Sequence, residues 1–71
     1  MNTPEPTTIQ CLGMLRKISK MYAIVDDLKY ETNDIRISGV VDDEQIALTY
    51  DKIDKVREAI SELGGAIREL M

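Results

Sequence analysis

Apolar residues recur at alternating spacings of three and four in two stretches of the chain. The first holds Cys11, Met14, Ile18, Met21, Val25 and Leu28, and the second Ile53, Val56, Ile60, Leu63, Ile67 and Leu70. Such a repeat draws one stripe along an α-helix, and a stripe six residues long has to be covered by other apolar surface. The pattern therefore constrains architecture and association, and it carries no reaction chemistry.

What covers the stripes is bounded by size. A chain of 71 residues has room for one domain, and chains this short bury only about 60% of the surface exposed on unfolding. Small domains make up the shortfall with disulfides, a metal or a second subunit. Cys11 is the only cysteine and there is no histidine, so an internal disulfide is excluded and a structural zinc site, with about four nitrogen or sulfur ligands, cannot be built. A second copy of the chain remains, and closed twofold dimers are the commonest assembly. The expected interface comprises Cys11, Met14, Ile18, Met21, Val25, Leu28, Ile60, Leu63 and Ile67.

Between the stripes the period changes. Glu31, Thr32, Asn33 and Asp34 form a polar break. Ile35, Ile37, Gly39 and Val41 then alternate with other residues, as do Ile46, Leu48 and Tyr50, and period two marks half-buried strands. Asp42, Asp43, Glu44 and Gln45 between them read as a hairpin turn, and Gly39 as a bulge or close backbone approach. The first helix is expected over 8–30, opened by a Thr7–Gln10 capping box, and the second from an N-cap at Asp51. Gly64 and Gly65 either end the second helix or lie inside it, and the unslipped spacing of Ile67 and Leu70 favours continuation. The expected fold is α+β: helix, β-hairpin, helix (αββα), with helices packed across a twofold axis. Residues 1–6, with Pro4 and Pro6, read as a flexible N-terminal arm before a single domain over 7–71. An alternative has residues 20–30 partly extended as a third strand.

Candidate chemistry is sparse. A serine or cysteine nucleophile normally needs a neighbouring base, most often histidine. Cys11 lies on a helical stripe, where a small core or interface residue is expected. Asp42, Asp43 and Glu44 are consecutive, whereas a calcium loop spreads its ligands over about twelve residues. No catalytic residue, metal site or cofactor is expected. Arg16, Lys17 and Lys20 fall within little more than one helical turn and form the one candidate nucleic-acid contact. The net charge of −4 opposes a polyanion, however, since residues 26–71 hold twelve acids against six bases.

These features point to a small non-catalytic protein-interaction module, an adaptor, inhibitor or regulator of an unidentified protein, acting as a homodimer. The alternatives are a nucleic-acid-binding regulator using the basic patch, and an acidic mimic that occupies a basic site on another protein. No apolar run approaches the roughly 20 residues of a membrane span, MNTPEPTT lacks the regions of a signal peptide, and a reduced cytoplasmic protein is expected.

Overall fold

The computed structural model describes residues 5–71 and consists of two long helices, α1 (Pro6–Ser38) and α2 (Asp43–Glu69), folded back on each other through residues 39–42. Among the described residues there is no strand. The β-hairpin is thereby overturned, and with it the α+β class: α1 takes the first half of the expected first strand, as far as Ser38, the rest of that strand lies in the connection, and α2 contains all of the second. The physical reason is that both expected strands border a nucleated helix. Extending a helix adds one hydrogen bond for each residue fixed, whereas an isolated two-stranded hairpin is marginal. The alternation was incidental: Ile35, Ile37 and Leu48 are all exposed, and only Ile46 of that group is buried.

The seam between the helices repeats every seven residues. Cys11, Ile18, Val25 and Thr32 are buried on α1, and Ile46, Ile53, Ile60 and Ile67 on α2. A strict seven-residue repeat in two packed helices implies a gentle left-handed supercoil. Ile18 lies level with Gly64, Asp26 with Arg57, and Lys29 with Asp54. The seam residues therefore interleave in the order Cys11, Ile67, Ile18, Ile60, Val25, Ile53, Thr32, Ile46. Leu15 and Tyr22 pack against this core from one side. Thr32 is the polar member, and its hydroxyl donates to the Leu28 carbonyl at 2.7 Å, so the seam takes it without leaving a polar atom unpaired.

The helix ends explain the boundaries. Pro6 occupies the first turn of α1, where a missing N–H costs nothing. The helix starts after Glu5, which makes no side-chain cap, so Thr7 and Gln10 lie inside it and form no capping box. Of the expected arm 1–6, residues 1–4 lie outside the described residues and Pro6 is already helical. At the other end, Gly39 takes the left-handed conformation (φ 73°) and its N–H bonds the Arg36 carbonyl at 3.1 Å. This glycine stops α1 because a side chain would be strained there. It is a helix terminator where a strand bulge was expected.

Asp42, not Asp51, precedes α2, and Asp43 and Glu44 fill its first turn, where acidic groups meet the positive end of the helix dipole. The acidic run expected to turn a hairpin opens a helix instead. Asp51 sits about two turns further on and pairs with Lys55. α2 passes through Gly64 and Gly65 without a break.

Candidate interaction surface

Two flanks border the seam, and they differ in chemistry. Residues four positions after a seam residue turn to one side of a helix and residues three positions after it turn to the other. In an antiparallel pair each kind meets its own kind across the seam.

The first flank is polar. Tyr22 and Lys29 of α1, with Asp26 beside them, meet Asp54 and Arg57 of α2. The Arg57 Nη1 donates to Asp26 Oδ1 at 2.6 Å, and Lys29 Nζ lies 2.8 Å from Asp54 Oδ1. The Arg57 guanidinium also lies over the Tyr22 ring, 5.1 Å from its centre, a distance at which a cation is attracted to the ring face. These groups are partly exposed, so each pair contributes at most about 1 kcal/mol. A shallow groove on this flank is lined by Tyr22, Asp54, Arg57, Glu58 and Ser61. Of its lining residues, Arg57 pairs with Asp26 and Asp54 with Lys29, and among the described residues no cluster of three or more acidic, cysteine or histidine side chains is placed to hold a metal.

The second flank is apolar. Met14, Met21, Leu28 and Ile35 follow the α1 seam residues by three positions, and Val56, Leu63 and Leu70 do the same on α2. All seven are between 37% and 61% exposed. They form one ridge from Leu70 and Met14 near the open end of the hairpin to Ile35 near its turn. Ile24 and the two small residues Ala59 and Ala66 extend the ridge outward, and all three are exposed. Scattered apolar residues on a surface mean little, whereas a continuous apolar row is a candidate association surface.

The expected interface residues divide between two places. Cys11, Ile18, Val25, Ile60 and Ile67 are buried between the protein's own helices, while Met14, Met21, Leu28 and Leu63 remain on the surface. Burial also removes Cys11 from any meeting with a second copy, since only 2% of it is accessible. Arg16, Lys17 and Lys20 are exposed on α1 and take part in none of the ion pairs among the described residues. Ile35 was assigned to a strand, although it continues the series Met14, Met21, Leu28 by one more step of seven. That step was the signal that could have placed it.

The molecule is a thin rod, 61 × 16 × 10 Å, with a radius of gyration of 17.1 Å. A compact chain of this length would have a radius near 11 Å. Its accessible surface is 5693 Å², against about 4,450 Å² for an average monomer of 8.0 kDa. The fold and this surface define an antiparallel helical hairpin with one uncovered apolar flank. No protein-family model, curated protein or solved structure matches the chain.

Proposed function

We propose that this protein is a non-catalytic interaction module, an adaptor, inhibitor or regulator of another protein, that works as a homodimer in which two hairpins close over their apolar flanks. The observation that carries the reading is the row of seven exposed apolar residues set in the same seven-residue register as the buried seam. A helix in a four-helix bundle needs two adjacent apolar rows, one for each neighbour. Both helices of this hairpin have two such rows and only one helical neighbour.

The magnitudes agree with this reading. Each copy exposes about 1,200 Å² more than an average monomer of its mass, and a standard interface buries roughly 800 Å² per partner. The three exposed leucine and isoleucine side chains nearest the open centre, Leu28, Leu63 and Ile24, would alone gain on the order of 1 kcal/mol each on being covered. A reducing, cytoplasmic setting fits the single buried thiol, and no helix among the described residues is long and apolar enough to cross a membrane.

Sedimentation velocity at protomer concentrations from 1 to 100 μM tests the proposal. The expected species has twice the chain mass and dissociates when Leu63 and Met21 are both replaced by aspartate. A parent protein that stays monomeric at 100 μM overturns the reading.

A further inference from the structure

From the distribution of charge and of large and small side chains along the rod, we infer that the two copies pack antiparallel, the turn of one hairpin beside the open end of the other. The inference rests on the homodimer proposed above and adds its geometry. Two twofold arrangements cover the apolar flank. In one, the hairpins run in the same direction and each α1 lies on the α2 of the second copy. In the other they run in opposite directions, and α1 lies on α1 and α2 on α2. Every helix has antiparallel neighbours in both, so helix dipoles do not choose between them.

Charge does choose. The half of the rod nearer the turn, residues 21–61, holds ten acids against five bases, a net −5. The remaining described residues, 5–20 and 62–71 toward the open end, hold four bases against three acids, a net +1. Same-direction packing sets the two −5 halves side by side, whereas opposite packing sets each beside a +1 half. Complementary potentials of this kind fix register more than they add affinity.

The residues that would meet along α1 carry the same message. Lys17, Ile24 and Glu31 are seven residues apart on one exposed row, and this row faces directly out from the apolar flank. A twofold axis through Ile24 sets Ile24 against itself and Lys17 against Glu31 of the second copy, twice. Level with Ile24 on α2 lies Ala59, a small residue that lets two α2 backbones approach at the same axis.

The test uses the full chain with Cys11→Ala and Ile24→Cys. Helices in contact lie 8–10 Å apart, which brings two residues facing each other across the axis within the Cα distance a disulfide requires. Mild oxidation is expected to give near-complete covalent dimer, because the α1 helices touch only in the antiparallel arrangement. In the same-direction arrangement they lie diagonally across the bundle, out of disulfide reach. A charge exchange supplies the second readout. K17E alone is expected to weaken the dimer by roughly tenfold, as two favourable pairs become repulsive, and K17E with E31K to restore it to within about threefold. In the same-direction arrangement Glu31 instead lies level with Lys52 of the second copy, so the exchange would weaken the dimer further. A stable dimer that resists crosslinking through residue 24, or one that the exchange weakens further, overturns the antiparallel geometry and leaves the homodimer standing. A chain that is monomeric at 100 μM overturns both.

Discussion

Replacing Gly64 and Gly65 with alanine is expected to stabilise the protein, and the size of the gain follows from the geometry of α2. Both glycines lie well inside a continuous helix, where each costs about 1 kcal/mol relative to alanine. The new methyl group at 65 would meet nothing within 4 Å. At 64 it would lie 3.7 Å from the Cγ2 of Ile18 and 3.9 Å from a guanidinium nitrogen of Arg68, both ordinary van der Waals distances. Neither site therefore carries a steric penalty to set against the propensity gain. The double variant should gain about 2 kcal/mol if the sites are independent. For a domain of this size that corresponds to a rise in Tm of roughly 8–16 °C. Thermal melts followed by circular dichroism, at one fixed protomer concentration because a dimer's Tm depends on it, give the measurement. A fall in Tm for Gly64→Ala while Gly65→Ala rises would refute the reasoning. It would mean that the helices meet at residue 64 closely enough to exclude a methyl group, and that the interleaving of Ile18 with Ile60 and Ile67 is tighter than described.

Three further outcomes follow from the same packing. Gly39→Ala should destabilise by about 1 kcal/mol, measured by urea unfolding, because φ at that residue is +73°; no loss would mean that the end of α1 is not fixed by this residue. Ile60→Asp should abolish the helical signal at 25 °C or lower stability by several kcal/mol, since Ile60 is 4% exposed at the centre of the seam, and parent-like melting would move the seam elsewhere. The Cys11 thiol should react with an aromatic disulfide reagent roughly tenfold to a hundredfold more slowly in the native protein than in urea, and equal rates would place it outside the seam.

The seam and the ridge were legible in the sequence because they obey one rule. Cys11, Ile18 and Val25, with Ile53, Ile60 and Ile67, are the residues that any helical reading sends inward, and they are all buried. What the pattern did not separate was the inner row from the outer one. Met14, Met21 and Leu28 are as apolar as the seam residues, and only the position of the second helix decides which row it covers. The middle of the chain was misread for a different reason. Ile35, Ile37, Ile46 and Leu48 are β-branched or bulky residues at even spacing, and over so short a window such residues fit either period. The continuation of the seven-residue series through Thr32 on one side and Ile46 on the other held the answer. It was hidden because Thr32 sits in a polar tetrad and its hydroxyl satisfies itself within the helix.

The shared interval of seven also governs how this protein tolerates changes of length. Excising a single residue from the middle of α1 would swing everything beyond it by about 100°, turning dry faces outward and wet faces in. Excising seven together, with the seven level with them on α2, would shorten the rod by about 10 Å and return every surviving side chain to its own side. The molecule is in this sense a ruler whose graduations are fixed, lengthened or trimmed by whole divisions and spoiled by fractions of one.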